Sequence, residues 1–438
     1  MAEEVEFYRE TEFKDTDIEK IPKGWSVSRI GGLVEVETGK RAKGGGLNEG
    51  TVASIGGEHI DNLGRIIWNE MKFIPNDFYD LLSQGKVKLG DILLVKDGAT
   101  TGKVAMIKNL RYDKVAVNEH VFVLRSKTEL LINDFLFYFL FSKFGQAQIK
   151  KRFHGIIGGI TKDDLENCLL PMPPLNEQRK ISEVLSTVDE SIQKTDDIIA
   201  KTERLKKGLM QELLTKGIGH KEFKDTEIGR IPKDWKVVKL EEITTKIKDI
   251  DHKMPKKQKI GIPFVSIKCM LKYPDFNFYL DPNDPDLEFI SKEEYEYHVQ
   301  RFDVERGDII YSRFGSIGNA KLVTTEQPFI ASYSIVLIKP NRHKVNLTLL
   351  TYILNSETVR KQAKIATKGA TNRNLHLKDI KNLRVPLLSL FEQQKIAEIL
   401  STVDEKLEIL QQEKAKLERI KRWFMEELLT GRIRVRIA

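Results

Sequence analysis

The chain has 438 residues, of which 40% are hydrophobic and 31% charged, so it can form two or three folded domains and is not globally disordered. Lys and Arg exceed Asp and Glu by eight (72 − 64), a modest excess that is compatible with a polyanionic partner. Cys168 and Cys269 are the two cysteines and form no CxxC pair, which argues against a disulfide framework or a cysteine zinc site. The most apolar run, 135–141, is far shorter than the roughly 20 residues of a membrane span, so we expect a cytoplasmic protein without a membrane partner.

The sequence contains two copies of one pattern. "EFKDTDIEKIPKGW" (12–25) returns as "EFKDTEIGRIPKDW" (222–235), and "GDILLVKDGATTGK" (90–103) returns loosely as "GDIIYSRFGSIGN" (307–319). "EQRKISEVLSTVDE" (177–190) returns as "EQQKIAEILSTVDE" (392–405). Two collinear copies of about 210 residues indicate domain duplication. The flanks of the copies match closely, whereas the interiors, about 39–153 and 246–364, have diverged.

The interiors are predicted to mix strands and helices. "DILLV" and "VAMI" flank the turn from Gly98 to Gly102 as a hairpin does, and 119–126 and 332–340 have the composition of strands. Segments 132–152 and 346–366 are predicted as helices, with their aromatic residues in the core.

Each copy ends in a predicted helix of about 40 residues, or roughly 60 Å. Prolines precede both helices, and Gly217 and Gly431 stand where the helices should end. Apolar residues recur at steps of three and four, as in a coiled-coil seam. We assign the following positions to the spacer and to partner binding: Gln178, Ile181, Leu185, Val188, Ile192, Gln393, Ile396, Leu400, Val403 and Leu407.

Two such helices in one chain are expected to pair, in antiparallel fashion if a pseudo-twofold axis relates the copies; the alternative is that each packs on its own domain. The predicted fold class is therefore α+β, with two pseudo-twofold-related globular domains separated by two long antiparallel coiled-coil helices. The predicted boundaries are 12–172 for the first domain, 173–221 for the first helix, 222–386 for the second domain and 387–438 for the second helix.

Motifs for catalysis are weak or missing. "DGATTGKV" (97–104) resembles a phosphate-binding loop, but three residues separate its glycines instead of four, and Val104 replaces the magnesium-binding Ser or Thr. The histidines show no paired metal spacing. We therefore predict no catalytic residue, metal or cofactor in this chain.

Basic loops occupy matching places in the two copies, at 143–162 and 359–384, and further basic stretches lie at 38–46 and 252–259. Lys and Arg in such loops can bind phosphates, and Asn or Arg at loop tips can contact base edges. The alternative is an ordinary solvated surface. The candidate DNA-contacting residues are Arg41, Lys43, Lys103, Lys151, Arg152, Arg313, Lys368, Arg373 and Asn374.

The order of these features resembles the specificity subunit (HsdS) family of type I restriction–modification systems. The resemblance covers nearly the whole chain and is carried by "IPKGW"/"IPKDW", the two "GDI" hairpins, and "PPLNEQRKI"/"LSLFEQQKI" at the helix starts. It implies two target recognition domains that each read half of a split double-stranded DNA site. It also implies helices that set the spacing and dock methyltransferase (M) subunits, two copies being expected, with restriction (R) subunits joining them. S-adenosylmethionine, ATP and Mg²⁺ are then expected only in the partner subunits.

Two other functions compete with this one. A methyltransferase or nuclease acting alone would need cofactor or metal motifs that the sequence lacks. A non-catalytic basic scaffold that binds protein or RNA would not discriminate among DNA duplexes. The specificity-subunit hypothesis accounts for the duplication, the diverged interiors and the matched helices together.

Overall fold

The computed structural model describes residues 6–155, 158–250, 254–272, 276–367 and 374–436. It divides into two compact units: unit 1 comprises 1–196 and 413–438, and unit 2 comprises 197–412. Each unit therefore contains one diverged interior, the first part of one long helix and the last part of the other.

The first copy of the pattern contains these elements in chain order: β1 (Phe7–Arg9), β2 (Phe13–Lys14), β3 (Ile21–Pro22), β4 (Ser26–Arg29), α1 (Ile30–Leu33), β5 (Val34–Thr38), β6 (Val52–Ile55), β7 (Lys72–Ile74), α2 (Asn76–Asp80), β8 (Ile92–Val95), β9 (Val104–Met106), β10 (Lys114–Val117), β11 (Val121–Ser126), α3 (Asn133–Phe141), α4 (Lys143–Lys150), α5 (Lys162–Glu166), β12 (Leu169–Met172) and α6 (Leu175–Lys216).

The second copy continues with β13 (Phe223–Thr226), β14 (Gly229–Pro232), β15 (Lys236–Lys239), β16 (Thr244–Lys248), β17 (Lys257–Gln258), β18 (Ile262–Val265), α7 (Ile267–Met270), β19 (Asn277–Phe278), β20 (Glu288–Ile290), α8 (Lys292–Val299), β21 (Ile309–Ser312), β22 (Ala320–Val323), β23 (Ile330–Ala331), β24 (Ile335–Pro340), α9 (Leu347–Asn355), α10 (Glu357–Ala366), α11 (Leu377–Lys381), β25 (Arg384–Leu387), α12 (Leu390–Leu428) and β26 (Ile433–Val435). Short 3-10 turns lie at Gly57–His59 and Leu240–Ile243.

The central sheet of unit 1 has the order β5-β11-β8-β9 and is buried on both faces. Successive side chains of a strand point to opposite faces. In β11, Phe122 and Leu124 join the core that contains the helices, whereas Val121 and Val123 join the core beneath the second sheet, β10-β6-β7. The continuous apolar runs in the sequence are explained by this double burial.

The described part of unit 2 repeats this layout around the sheet β16-β24-β21-β22-β19. In β24, Val336 and Ile338 pack toward the helices, and Ile335 and Leu337 pack toward the smaller sheet β17-β20-β18-β23. The predicted hairpins are confirmed, because β8 pairs with β9 and β21 pairs with β22 in antiparallel register.

The predicted helices 132–152 and 346–366 are each two helices instead of one. Ser142 and Ser356 interrupt them with extended backbone angles and cap the following helix, where Ser142 Oγ accepts a hydrogen bond from the Gly145 N–H at 3.2 Å and Ser356 Oγ one from the Val359 N–H at 3.4 Å. The prediction of one continuous helix was wrong because apolar periodicity continues across the break. The aromatic residues of α3 lie in the core, as predicted: Phe135, Phe137, Tyr138 and Phe139 are buried, and the partly buried Phe141 packs against them.

The two long helices α6 and α12 have 42 and 39 residues, close to the predicted length. Within unit 1 they run antiparallel, since Asp189 pairs with Lys421 at 2.6 Å and Asp196 pairs with Lys414 at 2.6 Å. Within unit 2, Lys206 of α6 pairs with Asp404 of α12 at 2.5 Å. The α+β fold class with a duplicated domain and long helices is confirmed.

Candidate functional site

The tip of the central hairpin is the place where the diverged loops of each unit meet. We define the hairpin tip as 97–101 in unit 1, between β8 and β9, and as 314–317 in unit 2, between β21 and β22. The residue before the tip is Lys96 in unit 1 and Arg313 in unit 2, at the same position of the repeat.

The same main-chain hydrogen bonds hold both tips at this residue. The Lys96 N–H donates to the His120 carbonyl at 2.9 Å, and the Lys96 carbonyl accepts from the Ile160 N–H at 2.8 Å. In unit 2, the Arg313 N–H donates to the Ser334 carbonyl and the Arg313 carbonyl accepts from the Leu375 N–H, both at 2.9 Å. The hairpin is thereby joined to the end of the basic loop in each unit.

A glycine closes each tip at a positive φ, Gly102 at +88° and Gly318 at +86°. The N–H of each glycine donates back across the hairpin, to Val95 at 2.9 Å and to Ser312 at 3.0 Å.

A side chain from the following helix pair binds the carbonyl of the same glycine. Gln146 Nε2 donates to the Gly102 carbonyl at 2.8 Å, and Arg360 Nε donates to the Gly318 carbonyl at 3.2 Å. Gln146 and Arg360 lie at matching positions of the repeat, so the backbone frame of the tip is the same in both units although the residue types differ.

A cation also anchors the base of each hairpin. Arg125 Nε lies 2.7 Å from Asp91 in unit 1, and Lys339 Nζ lies 3.0 Å from Asp308 in unit 2. Burial raises the pKa of Asp308, and the hydrogen bond and charge of Lys339 oppose this shift only in part. The hairpins are therefore fixed at both ends.

Charged side chains surround the tip of unit 1. Asp97 accepts from Lys96 Nζ at 2.5 Å and contacts His120 Nδ1, while the other ring nitrogen of His120 lies 3.4 Å from Glu119. Burial acts to raise the pKa of Asp97, but hydrogen bonds from Lys96 and His120, with their charges, lower it below the ordinary value. Arg41 extends the cluster, with Nε 3.5 Å from Glu119 and a largely exposed side chain. This tip presents an ionised carboxylate among donors.

Aromatic side chains take this place in unit 2. Phe314, which is partly buried, occupies the position of Asp97, and its ring lies 6.2 Å from that of Tyr333. Arg313 is buried, forms an ion pair with Asp249, and donates from Nε to Asn374 Oδ1 at 3.3 Å. The two tips thus combine one backbone frame with different side-chain chemistry.

The predicted DNA-contacting residues fall into four groups, one of which is the hydrogen-bonded pair of buried Arg313 and partly buried Asn374. Arg41, Lys43 and Lys151 are exposed. Lys103 and Arg152 are partly buried and donate to main-chain carbonyls, Lys103 to Ile60 and Arg152 to Gln148 and Asn167. Lys368 and Arg373 lie outside the described residues. The ion pair with Asp249 explains why the Arg313 side chain is buried, although its neighbours form an exposed loop.

The helix positions that we assigned to partner binding mostly face the interior of their own unit. Gln178, Ile181, Leu185 and Ile192 are buried, as are Gln393, Ile396, Leu400 and Leu407, whereas Val188 and Val403 are partly buried. Buried side chains cannot form the outer surface on which a partner docks.

Gln178 and Gln393 have the same structural role in their units. Gln178 Nε2 donates to the carbonyls of Leu130 and Pro173, and its Oε1 accepts from the Ile132 N–H. Gln393 makes the equivalent bonds to Lys344, Leu388 and Asn346. Each amide satisfies three main-chain groups and fixes the globular domain to its helix.

The preceding glutamate binds the tryptophan of the "IPKGW" or "IPKDW" segment. Trp25 Nε1 donates to Glu177 at 3.1 Å, and Trp235 Nε1 donates to Glu392 at 3.0 Å. Within each copy, the segment that begins the domain therefore contacts the start of the long helix that ends the copy.

A further triad joins the domain to both long helices and was not found from the sequence. In unit 1, Tyr138 donates to Asp189 at 2.8 Å, and Lys421 pairs with the other oxygen of the same carboxylate. In unit 2, Tyr352 donates to Asp404 at 2.6 Å, and Lys206 pairs with that carboxylate. Burial and the neighbouring carboxylate raise the pKa of both tyrosines.

Several exposed helix residues are identical in the two copies. We call them the repeated exposed set: in unit 1 Glu183, Thr187, Glu190, Lys416, Arg419 and Ile420, and in unit 2 Glu398, Thr402, Glu405, Lys201, Arg204 and Leu205, where only the last apolar residue differs. Leu205 is 55% and Ile420 is 43% exposed. The buried contacts of either unit do not require these side chains to match.

Within the described residues, no group of three or more His, Cys, Asp or Glu is arranged to hold a metal ion. None of the described helices is both long and apolar enough to cross a membrane.

The sequence was compared with known families. The profile of the type I restriction modification DNA specificity domain matches residues 22–204 and 232–419, which is most of the chain and covers both copies. The chain belongs to this family. The predicted membership is confirmed, and the chain is a specificity subunit with two target recognition domains.

Relatives of this family match along the whole chain. The specificity subunit of type I restriction enzyme MjaVIII from Methanocaldococcus jannaschii is 29% identical, over 99% of this chain and 98% of the relative. The MjaIX specificity subunit of the same organism is 25% identical, over 98% of both chains.

Solved structures of the family share the fold. The S subunit of a type I restriction-modification system from M. genitalium has a TM-score of 0.57 at 18% identity, over 94% of this chain and 97% of that chain. A chain from a study of assembly and conformational transition in the type I R-M system has a TM-score of 0.56 at 18% identity, over 94% of this chain and 99% of that chain.

Proposed function

We propose that each unit reads one half of a split double-stranded DNA site, with the hairpin tip and the adjoining basic loop as its contact surface. The observation that carries this proposal is the shared backbone frame of the tips at Lys96 and Arg313, combined with different side chains on the tips themselves. A rigid frame with variable residues is suited to recognising two different sequences in one geometry.

The exposed basic residues are proposed to bind phosphates and so to position the duplex. In unit 1 these are Arg41, Lys43 and Lys151, and in unit 2 Lys368 and Arg373 remain candidates from the sequence. Asn374, which is partly buried and accepts a hydrogen bond from Arg313, remains a candidate for contact with a base edge. Lys103, Arg152 and Arg313 are proposed to support the loops, because each is hydrogen-bonded or ion-paired within its unit.

The test of this assignment is half-site specific binding. Arg41→Ala should weaken binding to the complete site several-fold. It should also reduce the slope of log K against log salt concentration by about the contribution of one phosphate contact. It should leave the preference for each base in the second half-site unchanged. Equal loss of sequence preference in both half-sites would contradict a unit 1 contact, and Lys20→Ala, an exposed lysine outside the loops, is the matched control.

We further propose that the repeated exposed set forms two equivalent docking surfaces for two methyltransferase subunits. The support is that five of the six matched side chains are identical and all are exposed while the interiors diverge. Their matched contacts, such as those of the Thr187 and Thr402 hydroxyls with the carbonyls of Glu183 and Glu398, lie along one helix and leave the side chains exposed. Similar surfaces can bind two copies of one partner even though the DNA readers differ. Methylation with S-adenosylmethionine, and cleavage by restriction subunits, are then assigned to the partners, and this chain supplies recognition and assembly.

Native mass spectrometry of the chain with its co-expressed methyltransferase measures the number of bound methyltransferase copies directly. Leu205→Glu and Ile420→Glu should each shift the complex from two methyltransferase copies to one, because each variant places a charge in one surface. Ile409→Glu is the matched control, since Ile409 is 64% exposed on α12 and Lys194 occupies its place in the other copy. Two bound copies in both variants would show that docking uses other residues.

A further inference from the structure

The first residue of each hairpin tip was not among the predicted contact residues, and it combines features that none of the described ones shares. Asp97 and Phe314 occupy the same position of the repeat, immediately after a residue whose N–H and carbonyl are both hydrogen-bonded by equivalent partners. Their backbone positions are thus fixed in the same way, whereas their side chains differ completely in chemistry.

The side chains around this position are also polar in unit 1 and aromatic in unit 2. Asp97 is about one-third exposed and lies among Lys96 and His120, which keep its carboxylate ionised and oriented. Phe314 lies beside the ring of Tyr333, and Ser334 replaces His120 at the matching position. The first residue of the tip therefore lies in a polar environment in unit 1 and beside an aromatic ring in unit 2.

We propose that this position is the specificity-determining residue of each target recognition domain. In unit 1 the Asp97 carboxylate accepts a hydrogen bond from the exocyclic amine of a cytosine in the major groove. Cytosine presents only that donor there, whereas adenine places the N7 acceptor beside its amine and guanine presents acceptors, which repel a carboxylate. In unit 2 the Phe314 ring contacts the 5-methyl group of a thymine.

Two geometric facts favour base reading over a phosphate contact. A carboxylate is repelled by phosphate, so the accessible third of the Asp97 side chain favours a base amine over a phosphate as its contact on DNA. Lys96 Nζ is hydrogen-bonded to Asp97 Oδ2, and His120 Nδ1 is hydrogen-bonded to Asp97 Oδ1. Each carboxylate oxygen can accept a second hydrogen bond. The remaining acceptor sites can therefore be presented to a base in a fixed direction.

This inference rests on the proposed function, since it requires that each unit reads a half-site. The experiment uses the full chain with its co-expressed methyltransferase. The wild-type site is first selected from a randomised duplex library. Binding of each variant is then measured to that duplex and to duplexes carrying every single base change.

Asp97→Asn should reduce discrimination by about 5- to 100-fold at one base pair of the first half-site only. Phe314→Ala should do the same at one base pair of the second half-site only. Asp77→Asn and Tyr297→Ala replace exposed residues of the same type, or of similar aromatic type, outside the tips and should leave every preference unchanged.

A tip exchange guards against loss of folding in the single variants. Replacing 97–101 by the sequence of 314–317 should change the preference at the affected base pair of the first half-site toward thymine. The proposal is overturned if Asp97→Asn weakens binding equally to all duplexes, or if the exchange leaves the first half-site unchanged. If the wild-type chain selects no split site, the proposed function itself fails, so the two failures are distinguishable.

Discussion

Replacing Lys421 by Met tests whether the triads hold each domain to both long helices. The Lys421 side chain is 8% exposed and that of Asp189 is 19% exposed, so the variant leaves a largely buried carboxylate without its cation. Breaking one partner of a buried ion pair costs about 3–5 kcal/mol. Tyr138 still donates to Asp189, and some water reaches the carboxylate, so we expect a smaller cost of about 2–4 kcal/mol.

Hydrogen exchange of peptides from α3 and from the first half of α6 reports the local opening of unit 1. A loss of about 2–4 kcal/mol corresponds to a fall in protection of roughly 30- to 700-fold, at a factor of ten for each 1.4 kcal/mol. The double variant Asp189→Asn with Lys421→Met should recover most of this protection, because the neutral amide oxygen still accepts from Tyr138 and no buried charge is left unpaired.

Lys216→Met is the control, because Lys216 forms an exposed ion pair with Glu212 on α6. We expect it to change protection by less than a factor of about five. Unchanged protection in Lys421→Met, or a double variant that is less protected than the single one, would refute the role of the triad.

Three further outcomes follow from individual contacts. Gly431→Ala should destabilise unit 1 by at least about 2 kcal/mol, because φ is +70° and the new Cβ would lie 2.3 Å from Pro22 Cγ. Gly208→Ala, in open space on α6, should stabilise the protein by about 0.5–1 kcal/mol. Equal shifts of the melting temperature in the two variants would contradict this difference. Hydrogen bonds from Lys272 and the Asp286 N–H lower the pKa of Asp284. The carboxylate therefore contributes to stability above about pH 4, and this contribution is lost as the pH falls through the folded-state pKa. In Asp284→Asn, the protection of unit 2 from hydrogen exchange should depend less on pH in this acidic range. Inserting seven residues into each long helix, after Asp196 in α6 and before Lys414 in α12, keeps the heptad seam and lengthens the helix pair by about 10 Å. The gap between the selected half-sites should then grow by about three base pairs. An unchanged gap would show that the helices do not set it.

The features with a strong local signal were predictable from the sequence. The long helices, their ends near Gly217 and Gly431, and the central hairpins follow from periodicity, proline and glycine placement, and continuous apolar runs. The break at Ser142 was not predicted, because its capping hydrogen bond competes with a helical pattern that continues on both sides.

The roles of polar residues depended on tertiary partners that a sequence pattern does not show. Gln178 lies in a helix segment suited to an outer surface, yet its amide is buried because three main-chain groups of the domain surround it. Arg313 belongs to a glycine-rich loop, yet Asp249, more than 60 residues earlier in the sequence, buries it. The repeat alone does not single out Asp97 and Phe314, because unlike residues occupy most positions of the diverged interiors and the shared main-chain frame appears only in the structure.

Selection from a randomised duplex library, with the full chain and its co-expressed methyltransferase, tests the central claim most directly. We expect a split motif with two different halves separated by one fixed gap, because each unit reads one half-site and the helices set the distance. A single continuous motif would contradict reading by both units. Binding without any motif, which merely weakens as salt rises, would reduce the chain to a basic scaffold.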